Sequence, residues 1–182
     1  MKKKNYILGI LTLVVVLIGG LWMNKDKIQS TIAMYSNKKL PIYCVKTEKK
    51  QIALSFDAAW GNEDTKQILD ILKENDVKVT FFMTGGWVES FPDDVKAIAK
   101  AGHDLGNHSE NHKQMSKLSS EECEEEIMRV HEKVKKITGK NMILFRAPYG
   151  DYNDNLVNTV NRLGYHCIQW DVDILDIKVN KI

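Results

Sequence analysis

Cysteine is scarce and poorly placed for covalent work: Cys44, Cys123 and Cys167 are odd in number, far apart and without a CxxC spacing. Such a set reads as neither a disulfide framework nor a zinc knuckle, and three small, buried or half-buried side chains are expected. Charge of one sign is lacking too. The 26 Lys and Arg against 24 Asp and Glu leave a net charge of +2, which offers no electrostatic footprint for nucleic acid. Internal repeats and low-complexity tracts are absent. Long apolar runs are absent with a single exception. Histidine numbers only 5, so two at ligand spacing carry weight.

The exception is the N-terminus. Lys2, Lys3 and Lys4 precede an uncharged apolar run from Tyr6 to Met23, and Asn24, Lys25, Asp26 and Lys27 follow it. About 18 residues at 1.5 Å each cover roughly 27 Å, enough to cross a hydrocarbon core. A secretory signal peptide has the same opening, but Trp22-Met23-Asn24 is a poor cleavage site. Residues 1–23 are therefore expected to be a basic start and a transmembrane signal-anchor, with the N-terminus cytoplasmic and the rest outside the membrane. Residues 24–50 are polar and weakly patterned, the composition of an extracellular tether. At 182 residues the chain has room for one domain, over 51–182, rather than two.

Within that domain β-rich segments alternate with amphipathic helical ones. The pattern predicts strands over Gln51–Asp57, Val77–Thr84, His103–His108, Asn141–Pro148 and Tyr165–Asp173. Ile52, Leu54 and Phe56 would share a face of the first. Helices are predicted over Glu63–Asn75, from Pro92 to Gly102, from a Ser119/Glu122 capping box to Thr138, and over Asn153–Leu163. Five strands and four intervening helices imply a parallel α/β sheet. A closed (β/α) barrel needs about 200 residues or more, so an incomplete barrel is expected here.

Reactive side chains of parallel α/β domains gather at the carboxyl ends of the strands. The predicted strand ends carry Ser55-Phe56-Asp57, Asn107-His108-Ser109-Glu110-Asn111-His112, Arg146-Ala147-Pro148-Tyr149-Gly150 and Trp170-Asp171-Val172-Asp173-Ile174-Leu175-Asp176. All four polar clusters fall on one rim. His108 and His112, four apart, have the spacing that places two imidazoles on one side of a helical turn, facing a common ion. Asp57 closes an apolar strand; it could cap the following helix, but Asn62 and Asp64 are better placed for that. Arg146 can pair with a carboxylate and hold it ionised. His131, in a Glu- and Lys-rich helix, is expected on a solvated face, while His103 and His166 sit beside helix-ending glycines and are expected to be structural. Trp60 and Trp87 follow the first two strands, as packing residues or as surfaces on which a glycan could stack.

These four segments, in this order and spacing, resemble the first four motifs of NodB-type polysaccharide deacetylases, carbohydrate esterase family four. The likeness extends from about Lys50 to Asp176. Leu40-Pro41-Ile42-Tyr43, Ser55–Gly61 and Phe145–Tyr152 are similar to the sporulation-associated branch of Gram-positive spore formers. The resemblance implies a distorted NodB-type (β/α) barrel that removes N-acetyl groups from cell-wall amino-sugar polymer with a divalent metal, commonly zinc. It implies Asp57 as general base, His108 and His112 as metal ligands, and Arg146 as the residue that orients Asp57. It also implies the backbone amide of Tyr149 as an oxyanion donor and Asp176 as the fourth-motif carboxylate. A membrane-held monomer acting on wall polysaccharide follows.

Two positions and one missing motif depart from the family pattern. Ala58 stands where a second Asp supplies the third metal ligand, leaving the cation held weakly, through Asp64, or not at all. Ile177 stands where Trp is expected. The fifth motif, a Leu-x-x-His bearing the general acid, would lie beyond Ile182, so the resemblance implies an interrupted copy. The alternative to an enzyme is a catalytically impaired, membrane-anchored wall-binding fragment.

Overall fold

The computed structural model describes residues 38–172. The apolar run 6–23 and the tail with Asp173 and Asp176 lie outside them. Among the described residues no helix is long and apolar enough to cross a membrane.

Five parallel strands form one sheet in simple sequential order: β1 (Ser55–Ala58), β2 (Thr80–Met83), β3 (Asp104–Asn107), β4 (Leu144–Phe145) and β5 (His166–Cys167). That order is what a barrel wall of repeated β-α units produces, each crossover returning the chain beside its last strand. The helices are α1 (Thr65–Glu74), α2 (Gly85–Ser90), α3 (Pro92–Lys100), α4 (Ser120–Thr138) and α5 (Asp154–Arg162). The strands are shorter than the sequence pattern predicts, and α2 is an addition to it. Ser119 makes the expected capping box with Glu122, and Gly139 ends α4 in the left-handed region at φ 72°.

Register decides which side chains meet. Phe81 lies opposite Leu105, and Met83 opposite Asn107, which in turn pairs with Phe145 and so with Cys167. Side chains alternate across a strand, so these residues share one face. That face is the core: Phe81, Met83, Leu105, Phe145 and Cys167 are buried against Val95 and Ile98 of α3, Ile127, Val130 and Val134 of α4, and Leu156 and Val160 of α5. The opposite face receives Ser55, Asp57, Phe82, Gly106 and, one step past β4, Arg146. Sheet geometry therefore puts Ser55, Asp57 and Arg146 together on the face opposite this core before any question of chemistry arises.

The sheet's margins differ from expectation. The first strand begins at Ser55 rather than Gln51, and Ile52, expected on its apolar face, is 85% exposed. Only Leu54 O, accepting from Thr80 N–H at 3.2 Å, extends the pairing backward. At the other margin, part of the segment expected as a tether folds onto β5. Ile42 N–H donates to Cys167 O, and Gln169 N–H donates to Ile42 O, each at 2.8 Å. An unpaired strand edge carries free backbone groups, and this short strap satisfies some of them.

Gly106, in β3, has no room for a Cβ. A Cβ there would drive into the ring of Phe82, which is buried and lies under the Arg146 guanidinium. Gly106→Ala is expected to cost about 1–3 kcal/mol through overpacking, read as a melting temperature lower by several degrees. An unchanged melting curve would mean that Phe82 can yield without disturbing Arg146.

Candidate active site

Asp57 and Arg146 meet across the sheet. Arg146 Nη1 donates to Asp57 Oδ1 at 2.7 Å, and Nη2 donates to Ser55 Oγ at 2.8 Å. The guanidinium is nearly buried, lies 4.1 Å from the Phe82 ring centroid and has Trp170 at 5.6 Å. A planar fork between an aromatic floor and two oxygens has little rotational freedom, so the carboxylate it grips is fixed as well. Ser55 stands two residues before Asp57 on the same strand face. The i, i+2 spacing was the available signal for its part in the site, which the motif reading alone did not assign.

His108 is buried, and its Nδ1 lies 2.8 Å from the Arg146 carbonyl oxygen. A carbonyl only accepts, so Nδ1 carries the proton and Nε2 presents a lone pair. Burial pushes the His108 pKa below its ordinary range, outweighing the Asp57 carboxylate, which acts in the other direction. The neutral imidazole that results is the form that binds metals. Its Nε2 faces Asp57 Oδ2 at 3.7 Å. Two acceptors facing each other at that separation leave a place for the hydrogens of a water between them.

His112 completes the pair, its ring 5.1 Å from that of His108. Burial lowers its pKa too, again against Asp57. The pair does not stand on a helical turn as its spacing suggested. Residues 108–112 form a loop after β3, with Ser109 at φ 66° and His112 at φ 53°. Tyr149, at φ 60° in a short 3-10 turn over Pro148–Gly150, sets its ring 4.6 Å from His112 and leaves most of it in solvent. Trp60 approaches His112 from the side of β1 at 5.0 Å and is 79% exposed. Trp87 is no such surface: it is buried, and its Nε1–H donates to Gly61 O at 2.6 Å, bracing the turn that carries Trp60.

Asp64, the expected substitute for the missing third ligand, does not join the imidazoles. It occupies the N-cap position of α1, exposed, with its carbonyl accepting from Ile68 N–H at 2.9 Å. The β1–α1 turn is pinned elsewhere, Asn62 being bonded to Asp94 at 2.7 Å. Ala58 packs against the core. Among the described residues no three His, Cys, Asp or Glu side chains form a group able to hold a metal. The donors brought together are therefore a pair of imidazoles beside a carboxylate, short of the three protein ligands usual in catalytic zinc sites. Asp176 lies outside the described residues.

The other histidines divide. His103 is buried, its Nδ1 3.4 Å from Val79 N, a structural place between β2 and β3. His166 is exposed on β5. His131 is not simply solvated: Nδ1 lies 2.5 Å from the Tyr165 hydroxyl, and Nε2 lies 3.3 Å from Asn141 Oδ1. Tyr165 enters the core after α5 and needs a partner for its hydroxyl, which the helix pattern alone did not disclose.

Residues 45–168 match the family model described as polysaccharide deacetylase. The peptidoglycan-N-acetylmuramic acid deacetylase PdaA of Bacillus subtilis is 37% identical over 139 residues, 76% of this chain and 53% of that protein. A peptidoglycan-N-acetylglucosamine deacetylase of Bacillus cereus is 36% identical over 71% of this chain and 47% of its own. A pseudoenzyme of carbohydrate esterase family 4 from Bacillus anthracis superposes with a TM-score of 0.71 at 36% identity, covering 74% of this chain and 48% of that one. The chain spans about half the length of the curated relatives it matches. With the matched span holding the carboxylate, the arginine and both imidazoles, the chain belongs to the polysaccharide deacetylase family.

Proposed function

We propose that the chain removes N-acetyl groups from an amino-sugar polymer of the peptidoglycan type, in a sporulation setting and at the outer face of the membrane, held there by residues 6–23. The observation that carries the reading is the carboxylate of Asp57, gripped by Arg146 on one oxygen and facing the His108 lone pair with the other. The peptidoglycan deacetylases among its relatives point to the substrate class.

A divalent cation, zinc by the nitrogen character of its donors, would be held by His108 and His112 and when bound would polarise the acetamide carbonyl. Asp57 takes a proton from the attacking water. The backbone amide of Tyr149 donates to the oxygen that becomes negative. When the C–N bond breaks, the proton gained by Asp57 can return to the amine nitrogen, which balances the hydrolysis. Trp60 and Tyr149 flank His112 and offer exposed ring faces to the sugar.

A second reading, a wall-binding protein without catalysis, has one specific support: the side chain at position 58 carries no donor, and no third ligand replaces it among the described residues. The similarity to a pseudoenzyme agrees with it. Incubating the full chain in detergent with zinc and an N-acetylglucosamine oligomer separates the two. The proposal expects acetate release that chelation abolishes and zinc restores. Stoichiometric zinc and oligomer binding without acetate would establish the second reading instead.

A further inference from the structure

The loop bearing the two imidazoles has lost the device its spacing suggested. A helix would align His108 and His112 through its own backbone bonds, whereas here Ser109 and His112 adopt left-handed conformations unfavourable for residues with a Cβ. Such a loop keeps its shape only if its surroundings hold it. The holding groups come largely from α4. Asn107 Nδ2 donates to Ile127 O at 2.8 Å, while its Oδ1 accepts from Ser109 N–H at 3.0 Å. Glu126 accepts from Asn111 N–H at 2.8 Å and from Asn111 Nδ2 at 2.7 Å, and Lys113 Nζ lies 2.8 Å from the same carboxylate. Two turns along, Lys133 pairs with Glu110 at 2.5 Å.

Glu126 is 4% exposed and shares the buried side of α4 with Ile127, Val130 and Val134. A buried carboxylate is a poor choice for packing alone, since an apolar residue of similar volume serves the core at least as well. All its bonds given above run to residues 111 and 113, on either side of His112. We infer that Glu126 is a positioning residue for the imidazole pair: by gripping Asn111 through backbone and side chain it fixes the loop on which the His112 ring lies against that of His108. This inference rests on the proposed cation site for its consequence, though not for its geometry. Nothing in the four strand-end motifs contains Glu126, which sits in a Glu-rich helical run that looks like a solvated face.

The test uses the full chain with Glu126→Ala, Glu126→Gln and Asn111→Ala, reading zinc affinity by chelator competition, amide hydrogen exchange over 109–113, and thermal melting. Glu126→Ala is expected to weaken zinc binding about 10–100-fold, the range for loss of a group that orients a metal ligand, and to speed exchange at Asn111 and His112. Glu126→Gln keeps an oxygen for the Asn111 N–H and is expected to stay within about threefold of the parent. Should Glu126→Ala fail to fold, Asn111→Ala, which retains the backbone bond, is expected to weaken zinc several-fold with little change in melting. Destabilised variants that bind zinc as the parent does would reduce Glu126 to a structural residue and overturn the inference. If the parent binds no zinc, the proposed cation site falls and exchange alone decides: faster exchange in Glu126→Ala sustains the clamp, and unchanged exchange overturns it.

Discussion

Asp57→Asn is expected to lower acetate release by on the order of 10²–10⁴-fold, the usual worth of a general base, while zinc affinity stays within about threefold. The substitution preserves shape. Its amide oxygen can still accept from Arg146 Nη1, now 2.7 Å from Asp57 Oδ1, so the guanidinium keeps its place between Phe82 and Trp170. What is lost is the capacity of the second oxygen to take a proton. The new amide nitrogen would sit where Oδ2 lies, 3.7 Å from His108 Nε2, too far for a hydrogen bond that would occupy the lone pair. Paired assays decide the matter. Acetate release at the parent rate would remove Asp57 from the mechanism. Loss of zinc together with activity would make it a ligand rather than a base.

How much of this was legible in the sequence can be followed residue by residue. The alternation of strands and helices was plain because the caps are local: Ser119 with Glu122 and Asn153 with Leu156 N–H need only their neighbours. The gathering of Asp57, His108 and Arg146 was legible because parallel strands put their carboxyl ends on one rim. Three features were not. Helix α2 escaped notice because Gly85-Gly86 looks like a strand terminus, although Thr84, whose hydroxyl accepts from Trp87 N–H at 3.3 Å, is an ordinary N-cap. Strand length was overestimated because β-branched and aromatic residues continue beyond the paired register, as at Val77 and Val79 before Thr80. The loop form of 108–112 was hidden because a four-residue histidine spacing suits a helix and a turn alike, and the choice is made by Glu126 and Lys133, 14 or more residues away along the chain.

Arg146→Lys is expected to reduce acetate release by about 10²-fold with KM little changed, because the guanidinium does its work on Asp57 rather than on the sugar. A lysine ammonium is a point donor. It can reach Asp57 Oδ1 or Ser55 Oγ, but it cannot hold both in one plane, nor spread a flat cation over the Phe82 ring. Asp57 is 37% exposed on its side chain, so losing the fork leaves it solvated and folded stability changes modestly. The consequence is freedom of rotation, and a displacement of about 1 Å at the reacting oxygen is enough for the expected loss. Ser55→Ala supplies the graded comparison, since it removes the second anchor of the fork and leaves the ion pair intact; a loss between the parent and Arg146→Lys is expected. If Arg146→Lys turned over at the parent rate, Asp57 would be holding its position without the fork. The distance from Asp57 Oδ2 to the His108 lone pair would then have to be maintained by the β1–β2 register alone, which fixes the Asp57 backbone opposite Phe82 but leaves its carboxylate free to turn.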